Sequence, residues 1–176
     1  LIGAVKGNVY DANGKLIKKL KASDIFDVSA SAGYELFDDL RVKYYEPLVS
    51  AYPYTVEYEY EIISKTSIGF PDWYFYKGEN VAIQKSLFRI KVPENYHFNY
   101  KTFSNCAEPV VKKEGLTVSY EWSAQNIAGQ ENEPYADLHT NYIPSVFTAP
   151  AEFSMDGYTG NMTTWKEYGN WIAKLN

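Results

Sequence analysis

Residues 53–63, PYTVEYEYEII, alternate with a period of two. Tyr54, Val56, Tyr58, Tyr60 and Ile62 fall on one side of an extended chain, and Thr55, Glu57, Glu59 and Glu61 on the other. The spacing predicts a strand with an inner tyrosine face and a wet, acidic outer face. The same rhythm returns downstream. Phe88, Ile90 and Val92 alternate with Leu87, Arg89 and Lys91, and Leu116, Val118, Tyr120 and Trp122 alternate with Thr117, Ser119 and Glu121. Upstream, GNVYDANGKLIKKL places strand-like runs on both sides of Asn13-Gly14, a pair suited to a tight hairpin turn. The lysines of the second run mark it as an edge strand, because charge there discourages pairing with other chains.

Between these elements the pattern weakens. Residues 21–40 read mostly as loop, with Ser23 able to begin one helical turn and Asp38-Asp39 forming a later turn. RVKYYEPLVS then reads as a strand with Val42 and Tyr44 on one face, ended by Pro47. It is expected to pair antiparallel with the tyrosine strand that follows it. Pro93-Glu94-Asn95 predicts a turn before YHFNY, residues 128–144 read as a long surface loop, and SVFTAPAEFSMDG restores a strand. At the end the period changes to that of a helix. Trp165, Tyr168, Trp171, Ile172 and Leu175 share helical spacing, with Thr163 as the expected N-cap.

Composition supports a mainly β domain. Aromatic residues make up 17% of the 176 residues, 17 of them tyrosines, and flat rings with a polar tip suit a half-buried pleated face. Hydrophobic residues at 45% and charged residues at 22% give an ordinary globular balance. The formal net charge of −5 supplies no broad positive field, so nucleic acid is not an expected partner. No apolar run approaches the roughly 20 residues that span a bilayer as a helix.

Candidate chemistry is sparse. The row Glu57, Glu59, Glu61 could be a site, but acids at this pitch are expected to be neutralised by cations on a neighbouring strand, with Lys43, Lys85, Arg89 and Lys91 as candidates. Cys106 is the only cysteine and has no histidine nearby, which fits an incidental thiol better than an activated nucleophile. His97 and His139 lack the spacing of a zinc motif, Asp137 near His139 reads as a loop pair, and no phosphate-binding loop or nucleophile elbow occurs. A hydrolase built on Glu57, Glu59 and His97 is therefore the weakest of the functional readings. No catalytic residue, metal or cofactor is expected. One stretch could bind a partner: FPDWYFYKGEN clusters Phe70, Trp73, Tyr74, Phe75 and Tyr76 between strands. Phe70, Trp73, Tyr74 and Tyr76 are the candidate interaction surface, for a glycan or a peptide, unless the rings plug the end of the domain.

RVKYYEPLVSAYPYTVEYEYEIIS, PDWYFY, VAIQKSLFRIKVP and WKEYGNWIAKLN together resemble a family of uncharacterised bacterial domains. Such domains precede a transglutaminase-like (papain-like) domain in Gram-negative envelope proteins. The resemblance runs from about Asp24 to the end and carries no catalytic signature. It implies an antiparallel β-sandwich over residues 1–160, similar to the N-terminal domain of aminopeptidase N-type enzymes. A C-terminal helix over 161–176 would lead into an absent transglutaminase-like domain. It further implies a periplasmic or cell-surface location and a neighbouring domain of the same chain as partner. Such domains usually begin with further strands upstream, so a sheet edge could be left exposed and pair in a dimer. The expected function is a non-catalytic accessory domain; the alternative is a carbohydrate-binding β-sandwich that uses the aromatic turn at 70–76.

Overall fold

The computed structural model describes residues 2–29, 41–47, 49, 51–74, 80–129, 131, 135 and 143–175. Its architecture is mainly β; among the described residues every strand pair is antiparallel and one α-helix stands at the C-terminal end. Among the described residues, no helix is long and apolar enough to cross a membrane. Backbone contacts gather the chain into two compact units, Leu1–Ser64 and Lys65–Asn176, and the sequence pattern carries no mark of that division.

Unit 1 holds β1 (Lys6–Tyr10), β2 (Leu16–Lys19), β3 (Phe26–Ser29), β4 (Arg41–Tyr44) and β5 (Thr55–Glu59). The Asn13-Gly14 hairpin forms as expected between β1 and β2. The Asp11 carboxylate accepts the backbone N–H groups of Asn13 and Lys15, each at 2.9 Å, and Gly14 supplies the single positive φ of the turn at +76°. The sheet order is β2-β1-β5, which leaves the lysine-bearing β2 on the edge. Leu20 is buried because Gly7 lacks a side chain. A Cβ there would lie 2.5 Å from Leu20 Cδ1 and 2.5 Å from the Glu57 carbonyl oxygen.

Three expectations for this unit need correction. The strand β4 does not pair with β5; it pairs with β3, while β5 pairs with β1. Sequence adjacency favoured the short hairpin, but the β1–β5 register sets Lys6 opposite Glu59, Asn8 opposite Glu57 and Val9 opposite Val56. Charge and apolar complementarity on both faces thus support the long-range pairing. Residues 26–29, expected as loop, form β3 because β4 satisfies them. Phe26 stacks on Tyr44 at 5.1 Å, and Arg41 Nε donates to Asp27 Oδ1 at 2.7 Å. A single 3-10 turn does occur at Ala22–Asp24, but its N-terminal N–H, that of Lys21, donates to Asp24 Oδ2 at 2.8 Å. The Asp38-Asp39 turn lies outside the described residues.

Unit 2 holds β6 (Trp73–Tyr74), β7 (Ile83–Pro93), β8 (Phe98–Phe103), β9 (Val110–Glu114), β10 (Thr117–Ile127), β11 (Ser145–Pro150), β12 (Glu152–Met155), β13 (Tyr158–Asn161) and α1 (Trp165–Leu175). Two three-stranded sheets, β7-β10-β9 and β6-β11-β8, enclose one core of Trp73, Ile90, Val92, Trp122, Ile143 and Val146. Contributions from both sheets make this a sandwich. The alternation read from the sequence supplies its inner faces: Ile90 and Val92 are buried, and Trp122 is only 1% exposed. Rings bridge the layers, with Trp73 stacked on Phe88 at 5.9 Å, Phe98 edge-on to Tyr120 at 4.9 Å and Tyr100 edge-on to Trp122 at 5.2 Å. Such pairs each add about 0.5–1.5 kcal/mol beyond the area they bury. Most of the expected loop 128–144 lies outside the described residues, but Ile143 near its end joins the core.

The hairpin β12–β13 carries the helix. Trp171 is the buried residue of α1 and meets Phe153 edge-on at 4.7 Å. The N-cap is Thr164 rather than Thr163. Its Oγ1 accepts the Glu167 N–H at 3.2 Å and donates to Glu167 Oε2 at 2.9 Å. Thr163 instead donates its N–H to Asn161 Oδ1 at 2.7 Å, which places it in the turn ahead of the helix.

Candidate functional site

Two carboxylates of the acidic row, Glu57 and Glu59, are engaged by β1. Glu57 Oε2 accepts from Asn8 Nδ2 at 2.6 Å and from the Tyr10 hydroxyl at 2.9 Å, and Glu59 pairs with Lys6 at 3.2 Å. The hydrogen bond from Asn8, and next that from Tyr10, hold the Glu57 carboxyl below its ordinary value; the bond to Glu57 raises the Tyr10 phenol in return. Two of the cations expected for this task serve elsewhere. Arg89 binds Glu121 across the β7–β10 ladder, and Lys91 binds Glu114 at 3.2 Å. Among the described residues, no three His, Cys, Asp or Glu side chains are grouped so as to hold a metal ion.

The remaining chemical candidates are scattered. His97 lies just ahead of β8, where its carbonyl oxygen accepts the Ala151 N–H at 3.1 Å. His139 and Asp137 lie outside the described residues. Cys106 follows a turn in which Ser104 and Asn105 adopt φ of 55° and 56°, and it packs half-buried against the unit 2 core. Burial, and secondarily the Glu108 carboxylate, raise its thiol above the ordinary value, so the nucleophilic thiolate is disfavoured.

The aromatic turn divides. Trp73 is 7% exposed and donates its Nε1–H to Ser86 Oγ at 3.0 Å, so its ring is committed to the core. Phe70 packs against the same core between Tyr96 and Phe98, with ring centroids at 5.9 and 5.8 Å. Asp72 stitches the turn to β11 by accepting the Thr148 N–H at 3.0 Å. Tyr74 is exposed, whereas Phe75 and Tyr76 lie outside the described residues. Sugar stacking would need a ring face in water, and Trp73 offers none.

Two apolar surfaces stand where the sequence pattern placed interior. In unit 1, Tyr60 and Ile62 are 63% and 64% exposed, and together with Tyr44, Tyr45 and Tyr58 they line a cavity of about 420 Å³. The signal was present in the sequence, since an inner face written in tyrosine rather than valine or leucine is a face that still meets water. In unit 2, Trp165 is 89% exposed on α1 and borders a cavity of about 520 Å³ with Ile68, Met162 and Tyr168. Ile172 and Leu175, on the same side of the helix, are also exposed.

These features describe a mainly β, antiparallel chain whose ion pairs lie at the surface and which exposes aromatic and apolar side chains in each unit. The chain belongs to the family described as Domain of Unknown Function with solved-structure structure (DUF3857), whose profile matches residues 2–131. That span takes in the tyrosine strand, the aromatic turn and β7. It begins well upstream of Asp24 and stops before α1. No curated protein and no solved structure is significantly similar to the chain.

Proposed function

We propose that this chain is a non-catalytic accessory domain that docks and positions a transglutaminase-like or cysteine-protease-like domain of the same protein, in the periplasm or at the cell surface. The neighbouring domain and the location rest on the resemblance of the tyrosine strand, the aromatic turn and the terminal helix. The observation that carries an interaction role is α1 itself. Its one buried anchor is Trp171, while Trp165, Ile172 and Leu175 turn an apolar stripe outward. Covering a side chain of this size is worth about 1.5–3 kcal/mol, which a docked neighbour would recover.

The test has two arms. Residues 1–176 should give no turnover in peptidase and acyl-transfer assays, and robust turnover overturns the reading. In the longer protein, Trp165→Ala with Ile172→Ser should loosen the neighbouring domain, measured as faster amide exchange and lower activity there. Unchanged exchange removes α1 as the docking element.

A further inference from the structure

We infer that the tyrosine-lined pocket of unit 1 binds a small amphiphile, an apolar chain ending in a carboxylate, with the Lys43 ammonium meeting the anionic end. The pocket arises where an antiparallel bridge between Ile2 and Ile62 prolongs the β1–β5 ladder beside the end of β4. Its volume of about 420 Å³ falls within the roughly 300–1,000 Å³ typical of small-molecule sites. Tyr44, Tyr45, Tyr58, Tyr60, Ile2 and Ile62 provide most of the wall.

Its charge is sorted. The opposite face of β5 carries Glu57 and Glu59 and the chain has a net charge of −5, yet among the described residues the pocket lining contains no carboxylate and one cation, Lys43. The reason lies in the β3–β4 ladder. Lys43 stands opposite Asp27, but Arg41 has taken that residue, binding Oδ1 through Nε at 2.7 Å and the carbonyl oxygen through Nη2 at 3.1 Å. Lys43 is left with no carboxylate partner among the described residues, beside an apolar cavity. An anion with an apolar body satisfies both features at once. Among the described lining residues a cationic amphiphile would meet Lys43 and no acid, and a bare inorganic anion would leave the rings uncovered.

The wall is set before any ligand arrives. Tyr44 is stacked on Phe26, and the Lys18 ammonium lies over the Tyr45 ring at 5.4 Å from its centroid. Rings fixed in this way lose little freedom on binding. Burial, followed by the neighbouring Tyr45 and Tyr54, raises the Tyr58 phenol, as expected for a partly dehydrated wall.

The experiment titrates the chain with hexanoate, octanoate and decanoate below their micelle concentrations, alongside octanol and octyltrimethylammonium, read by calorimetry and tyrosine-ring NMR. Affinity should rise about fourfold per methylene and then level off when the pocket is full. Octanoate should bind about two- to fivefold more tightly than octanol, the increment of a solvent-exposed ion pair. Lys43→Ala should erase that difference and leave octanol unchanged, while Ile62→Ala should weaken both. A lack of saturable binding overturns the inference. So does an affinity that climbs without levelling, an ammonium analogue that binds as well as the carboxylate, or a Lys43→Ala variant that still prefers octanoate to octanol.

Discussion

The two units use aromatic residues in opposite ways. In unit 2 the rings of Trp73, Phe88, Tyr100, Tyr120 and Trp122 meet between two sheets, and Trp122 is almost completely withdrawn from water. In unit 1 the buried hydrophobic residues among those described are Val9 and Leu20, while Tyr58, Tyr60 and Ile62 stay about half or more in water. Both units carry the same two-residue alternation. The difference lies in what accompanies the strands: unit 2 has a second three-stranded sheet across its core, whereas the described residues of unit 1 add only the short β3–β4 ribbon. Alternation therefore reports which side of a strand is apolar, and the opposing layer decides whether that side becomes a core or a surface.

All four tryptophans, at positions 73, 122, 165 and 171, lie in unit 2, so indole emission follows that unit alone. The largest expected effect is that of Trp122→Ala, which should destabilise unit 2 by about 3–5 kcal/mol in urea titrations followed by this emission. Val9→Ala, its counterpart in unit 1, should lose about 1–2 kcal/mol. Equal losses would remove the contrast between a closed core and an open face. Next comes Gly7→Ala, where a Cβ at 2.5 Å from both a backbone carbonyl and Leu20 should cost about 1–3 kcal/mol. Amide exchange should speed up in β1, β2 and β5 while the indole transition stays in place. A matching shift of the indole transition would show the two units unfolding as one.

A smaller effect is expected at the helix. Thr164→Ala removes the hydroxyl that accepts the Glu167 N–H and should cost about 1 kcal/mol, whereas Thr163→Ala should be nearly silent. Near-equal melting temperatures for the two variants would return the cap to an open question. The smallest effect concerns pH. The folded-state carboxyl of Glu57 is depressed, so its contribution is present above the ordinary carboxylate value and is lost as pH falls through the folded value. Glu57→Gln should therefore flatten the acid limb of the unit 1 melting profile, and parallel limbs in the two proteins would exclude this contribution.

Much of the fold was legible because it is local. The strand runs at 83–93 and 117–127, the Asn13-Gly14 turn and the terminal helix each follow from a period or a turn chemistry confined to a few neighbouring residues. Partners were not legible. Nothing in residues 41–62 by themselves says that β5 will pass over β4 and pair with β1, because the complementarity sits in Lys6 and Asn8, some fifty residues upstream. The helix cap moved by one residue for a similar reason, since either threonine could serve until Asn161 engaged the first.

The candidate sites divide along the same line. The sequence by itself determined the side chains at hand: one cysteine, two histidines without the spacing of a zinc motif, acids set on one strand face, and an excess of tyrosine where aliphatic residues would do. Only the tertiary structure decided which rings are spent. Packing between two sheets consumed Trp73, and a shallower cover left Tyr60 and Ile62 in water around a lysine whose own carboxylate had been claimed by Arg41. Side-chain type fixes what a residue can do, but burial and competition for partners are properties of surfaces assembled from distant segments, and no single stretch of chain contains them.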